Sequence, residues 1–163
     1  MFRKAYAIEL FLYPVSKTEA LDDLTELQQL VESAGYFLGG SELYQLRQIH
    51  PHTCIGPGKL EMLKEVLKNQ NIDLLVLDFP IKPYALKNVE DFFNIEVCDR
   101  TRLILEIFKK RATSAEGKLQ VELAEASYEM GRLVGKGLGK ELSKLGGGIG
   151  TRGPGEQKME QLR

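Results

Sequence analysis

The run LLVL at residues 74–77, set between Asp73 and Asp78, constrains this fold more than any other stretch of the chain. A strand with one wet face alternates apolar and polar side chains, whereas an unbroken apolar run of strand length needs cover on both faces. The arrangement that supplies such cover is a parallel sheet with helices packed above and below it.

The flanking sequence provides the other parts. Residues 4–13, rich in Tyr, Ile, Leu and Phe, predict a strand that Pro14 stops. Ser16 and Glu19 have capping-box spacing, and Leu21, Leu24, Gln28 and Val31 share one helical face before Gly35 ends the helix. Residues 36–44 predict a second strand, in which Gly39 and Gly40 allow a bulge or a close backbone approach. After a loop through Pro51, Leu60, Leu63, Val66 and Leu67 mark a helix over 59–68 that stops near Asn69 and Asn71. The third strand covers 73–79, a short helix 84–93 and a fourth strand 95–98. Asp99 then caps a helix whose buried face is expected to be Leu103, Ile104, Ile107 and Phe108. The expected fold class is α/β: over residues 1–112, a small, mostly parallel sheet of about four strands flanked by helices.

With 163 residues, of which 43% are apolar, the chain can build a core without disulfides or a structural metal. Cys54 and Cys98 stand apart with no framework spacing, which suits a reducing compartment. Glu9 interrupts the first apolar stretch, and no run approaches the ~20 apolar residues of a membrane span, so no membrane association is expected. The expected location is the cytoplasm.

The net charge of −1 conceals an asymmetry. Residues 131–163 hold seven Lys and Arg against three Glu, a net of +4, and ten of the 16 glycines lie between Gly131 and Gly155. Such a segment has little side chain with which to form a core and a high entropic cost of ordering, which points to an anionic partner. Thr113 and Glu116 again have capping-box spacing, and Leu119, Leu123, Ala126, Met130 and Leu133 follow as a heptad seam. A seam of this kind packs on a partner helix, on the α/β unit or on a second copy of the chain. The expectation for residues 113–163 is a coiled-coil-like long-helix hairpin with a glycine-rich basic loop at 135–155. Its second helix starts near Glu156 and is truncated at Arg163.

Several motif matches do not survive their context. GIGTRG at 148–153 fits the dinucleotide fingerprint but follows a helix and loop instead of a strand, and no acidic residue stands about 20 positions on. Gly56, Gly58 and Lys59, within GPGK, resemble the end of a P-loop, yet Thr53 stands where its first glycine belongs and Leu60 where its magnesium-binding hydroxyl belongs. A glycine-rich turn opening a helix still offers free amides to a phosphate, so these three residues remain a candidate anion site. His50, His52 and Cys54 alternate in one loop without a second ligand pair, and no metal site is expected. No catalytic constellation emerges. Asp78 and Asp99 end two strands, where helix capping is the expected role.

Arg111, Ala112, Glu116, the run GKLQVEL at 117–123 and GGGIGTRGPGE at 146–156 resemble the N-terminal region of the HflX family of ribosome-associated GTPases. IGPGKLE at 55–61 is similar to that family's shorter glycine-lysine motif. Departures are Gly131, where the family usually has proline before an arginine, and QKME at 157–160, where TKLE is commoner. Gly131 is expected to loosen the helix end. The resemblance implies an α/β unit and a helical hairpin leading into a GTPase domain, with the large ribosomal subunit and its RNA as partners. It also implies GTP and Mg as cofactors of the full-length protein, none of them used in this stretch, which has no GxxxxGK[ST] and is not expected to hydrolyse GTP. Lys136, Lys140, Lys144 and Arg152 are the candidate phosphate contacts, with Gly146, Gly147, Gly148, Gly150, Gly153 and Gly155 shaping the tip. Two alternatives stay open: a small nucleotide-binding α/β domain, and a helix-pairing module.

Overall fold

A computed structural model describes residues 1–134. The chain runs β1 (Lys4–Phe11), α1 (Lys17–Ser33), β2 (Phe37–Gln45), α2 (Pro57–Asn69), β3 (Leu74–Asp78), α3 (Pro83–Phe93), β4 (Glu96–Cys98), α4 (Arg100–Arg111) and α5 (Ala115–Leu133). The four strands form one sheet in the order β2-β1-β3-β4, and every neighbouring pair is parallel. The α/β fold with a four-stranded parallel sheet is therefore present as the sequence predicts.

Strand alternation sorts the core into two layers. Tyr6, Ile8 and Leu10 of β1, with Leu75 and Leu77 of β3, pack against Leu60, Leu63 and Leu67 of α2 and against Leu86 and Val89 of α3. The opposite parity, Ala5, Ala7, Leu74 and Val76, meets Leu27 and Val31 of α1 and Leu103 of α4. Residues 74–77 are all fully buried, as a strand covered on both faces requires. Each such Leu contributes about 1.5–3 kcal/mol on burial.

The bulge anticipated at Gly39 and Gly40 lies in the β1–β2 ladder, where Ala5 pairs with Leu38 and Tyr6 with Gly40. A Cβ on Gly40 would stand 2.6 Å from Tyr6 Cε2, so the strands approach closely because no side chain intervenes. Ser16 and Glu19 form the reciprocal capping box of α1. Asp99 accepts a hydrogen bond from the Arg102 amide and caps α4.

Four local expectations are corrected. Leu21 is 45% exposed, because the buried stripe of α1 runs through Ala20, Leu24, Leu27 and Val31, one position round the helix. Phe108 is 56% exposed and Ile104 and Ile107 are only half-buried, which leaves Leu103 as the one fully buried residue of α4, a helix that divides its packing between the sheet, α1 and α5. The helix expected from Lys59 starts two residues earlier at Pro57, whose missing N–H suits a first-turn position, so Gly58 and Lys59 are helical. The cap of α5 is Ser114, not Thr113, its hydroxyl accepting from the Gly117 amide. Gly131 lies within α5, which continues to Leu133.

β1 and β3 are adjacent, yet their connections leave in opposite directions, α1 toward β2 and α3 toward β4. Doubly wound sheets bind ligands at such a switch point, outside the carboxyl ends of the strands. No helix among the described residues is long and apolar enough to cross a membrane.

Candidate nucleic-acid interface

The arm that leads into the basic segment is α5, and the fold fixes it at its far end. Val121, Ala124 and Tyr128 are half-buried and Arg132 is 3% exposed; at spacings of three, four and four they form the packed stripe of the helix. Arg132 reaches back to α3, its Nη2 lying 2.8 Å from Glu90 Oε2. Glu90 also accepts from the Val97 amide at 3.0 Å and from Lys87 Nζ at 2.6 Å, so one carboxylate ties α3, β4 and α5 together. The Arg132 guanidinium stands 5.9 Å from the centre of the Tyr128 ring, and Glu129 lies 3.4 Å from its Nη1.

Burial alone would raise the Glu90 pKa, but hydrogen bonds from Lys87, Val97 and Arg132, together with the Arg132 charge, hold it down at about 2. Burial works against the Arg132 charge as well, and Glu90 and Glu129 more than offset it. Burial, with the nearby Asp99 charge, pushes the Tyr128 phenol well above its usual range. Nearer the start of α5, Lys109 pairs with Glu125 at 3.0 Å. Between α4 and α5 lies a cleft of about 810 Å³ in which Arg102, Lys109 and Lys110 alternate with Glu106, Glu122 and Glu125. That mixture of signs gives a polyanion no net attraction.

The heptad seam faces outward. Leu119 is 66% exposed, Leu123 69%, Met130 62% and Leu133 43%, and Ala126 is exposed too. The seam is thus not the surface by which α5 packs on the α/β unit; the stripe of Val121, Ala124, Tyr128 and Arg132 is.

Lys136, Lys140, Lys144, Arg152 and the glycines of the tip lie outside the described residues, as does GIGTRG. Of the second candidate set, Gly56 is the N-cap of α2 and offers no side chain to its amides, and a Cβ at Gly56 or Gly58 would meet nothing within 4 Å. Lys59 is otherwise engaged: its Nζ lies 2.9 Å from Glu42 Oε2 and 4.5 Å from the centre of the Tyr44 ring. His50 and Cys54 form an isolated antiparallel bridge, and the Thr53 hydroxyl lies 3.2 Å from His50 Nδ1. Burial pushes the Cys54 thiol up to about 11. No group of three or more His, Cys, Asp or Glu among the described residues is placed to hold a metal ion.

Two side-chain clusters go beyond the sequence reading. The Arg132–Glu90 clamp joins residues 42 apart, a separation that periodicity does not reveal. Asp78 is not a helix cap; its Oδ2 lies 2.7 Å from Arg100 Nη2, and its register partner on β1 is Glu9. The acidic break in an apolar strand at Glu9 was the visible signal of that cluster.

Residues 21–109 match the family model for the N-terminal region of GTP-binding GTPases, and residues 111–163 match the model for their middle region. GTPase HflX of Caldanaerobacter subterraneus subsp. tengcongensis is 47% identical over 146 residues, covering 90% of this chain and 34% of that protein. GTPase HflX of Escherichia coli is 39% identical over 147 residues, covering 88% and 33%. The chain thus spans about a third of the length of these curated relatives. A GTP-binding protein from the archaeon Sulfolobus solfataricus, solved in complex with GDP, superposes with a TM-score of 0.63 at 27% identity, covering 88% of this chain and 42% of that one. By these matches the chain belongs to the HflX family of GTP-binding proteins, and what it carries is their N-terminal and middle regions.

Proposed function

We propose that this chain is the ribosome-contacting part of an HflX-type GTP-binding protein, and that its ligand is RNA of the large ribosomal subunit. The observation that carries this reading is the placement of α5. The Arg132–Glu90 pair fixes the arm to the sheet unit immediately before residues 133–163, which carry six Lys and Arg against three Glu, a net charge of +3, and most of the chain's glycines. Lys136, Lys140, Lys144 and Arg152 supply phosphate contacts, whose affinity comes from counterion release. Gly146, Gly147, Gly148, Gly150, Gly153 and Gly155 leave backbone amides unshielded, so the tip enters narrow RNA surfaces that longer side chains do not reach. The division of labour is an α/β unit over 1–112 and a helical unit over 113–163. GTP and Mg belong to the GTPase domain of the longer protein, which works in the cytoplasm to split or rescue ribosomes under stress. Binding to purified large subunits over a salt series, for the wild type and for Lys144→Ala, Arg152→Ala, tests the reading.

A second reading, an anion or nucleotide site at the start of α2, is favoured by the absence of a side-chain cap at Gly56 and by the open space beside Gly56 and Gly58. Against it, Glu42 already takes the Lys59 ammonium and would repel a phosphate placed there. A rise in melting temperature with millimolar nucleotide would support this reading.

A further inference from the structure

The fold's last hold on the arm falls where its helix is weakened. Past Tyr128, which is half-buried, Glu129 and Met130 face solvent, Arg132 is 3% exposed, and Leu133 and Val134 face solvent again. Among the described residues beyond Tyr128, Arg132 is therefore the one buried side chain, and the basic segment follows directly.

Gly131 stands just before it. Proline apart, glycine is the poorest helix former, and nothing around this position demands one. A Cβ built there would stand 3.6 Å from Pro83 Cγ and 3.8 Å from Pro83 Cβ, an ordinary contact. The glycine thus weakens the turn from Tyr128 to Arg132, and the Arg132–Glu90 pair is what closes that turn. Glu90 is suited to the task, because Lys87 Nζ at 2.6 Å and the Val97 amide at 3.0 Å already fix its carboxylate.

We propose that Arg132 is a positioning residue for the RNA contact. Buried and turned toward α3, it touches no RNA itself; it locks the turn at Gly131 and so sets the direction in which the basic segment leaves the fold. The proposal rests on the reading of residues 133–163 as the RNA-binding segment. Without the lock, RNA binding must also order the freed turn, and fixing about one residue of backbone weakens binding roughly tenfold. The same phosphates are met in either case, so the salt dependence does not change.

Co-sedimentation of the 163-residue chain with purified large ribosomal subunits, paired with hydrogen exchange of the free chain, tests the proposal. Arg132→Met and Glu90→Gln each weaken binding about tenfold at an unchanged salt slope, and the double variant is no worse than either alone. In the free chain, Arg132→Met speeds exchange of the amides at 130–134 and leaves those of β1 and β3 protected. Adding Gly131→Ala to Arg132→Met slows that exchange again and restores most of the affinity. Ser114→Ala, which weakens the other end of α5, leaves the affinity unchanged, so a general loss of stability does not mimic the effect. Undiminished affinity in Arg132→Met, a salt slope that falls with the affinity, or a loss that Gly131→Ala does not recover overturns the proposal. A wild-type chain that binds no subunit overturns the RNA reading instead, and the lock then stands or falls on the exchange at 130–134.

Discussion

Arg132 Nη2 lies 2.8 Å from Glu90 Oε2, and through this contact the far end of α5 is held against α3 at the edge of the sheet. The arginine side chain is 4% exposed and the glutamate 20%, so the pair is largely out of water. Breaking a buried pair from one side costs roughly 3–5 kcal/mol. Glu90 keeps Lys87 and the Val97 amide when Arg132 is removed, which places the cost at the low end. Arg132→Ala is thus expected to lower the urea unfolding free energy by about 3 kcal/mol. Arg132→Met, which keeps the packing of the stem, is expected to lose less.

The same contact makes stability depend on acid. Glu90 is held at about 2 in the fold against an ordinary 4.5, so its contribution is complete above 4.5 and is lost as pH falls toward 2. Its size is at most ~3 kcal/mol before solvent screening at the open flank. Unfolding free energies between about pH 5 and pH 2 are expected to fall more steeply for the wild type than for Glu90→Gln.

Glu9 runs the other way. Its folded-state value of about 9 lies above the ordinary 4.5, so its stabilising effect is complete below 4.5 and is lost as pH rises through that window. The slope is up to ~1.4 kcal/mol per pH unit for one proton. Glu9→Gln is expected to be more stable than the wild type near pH 8 and to lose that advantage toward pH 4.5. Equal denaturation curves at both ends would show that the carboxyl is not held protonated.

The parallel sheet was legible because its central strand is covered on both faces and its sequence shows that directly at residues 74–77. Helix faces were legible less fully. In α1 the small Ala20 lies in the core while the larger Leu21, about 100° round, does not, and apolar size alone points to the wrong one. In α4 the apolar pattern runs on through Phe108, although only Leu103 of that face is fully buried. The candidate anion residue Lys59 was visible in the sequence, but its partner Glu42, 17 positions earlier on another element, was not. The basic tip, by contrast, is legible only in the sequence, as a local excess of charge and glycine.

Thr113 and Ser114 offer competing caps, and the fold uses the second. Ser114→Ala is expected to cost about 1 kcal/mol, and Thr113→Ala less than about 0.5 kcal/mol. Thermal melts of the two variants check the assignment; a larger loss at Thr113 would restore the capping box with Glu116.

The exposed seam on α5 predicts association. Four large apolar side chains along one stripe, Leu119, Leu123, Met130 and Leu133, favour burial against a second copy of the chain. Sedimentation mass is expected to rise with concentration for the wild type and to stay constant for Leu119→Lys, Leu123→Lys. Both substitutions fall on exposed positions, so the melting temperature of the dilute protein is expected to remain nearly unchanged.

The most direct test of the proposed function is co-sedimentation of the chain with purified large ribosomal subunits across a salt series. Binding that weakens steeply with salt, with a logarithmic slope reduced by roughly 2 in Lys144→Ala, Arg152→Ala, is the predicted result. Binding indifferent to salt and to both substitutions would contradict it, as would no binding at any salt.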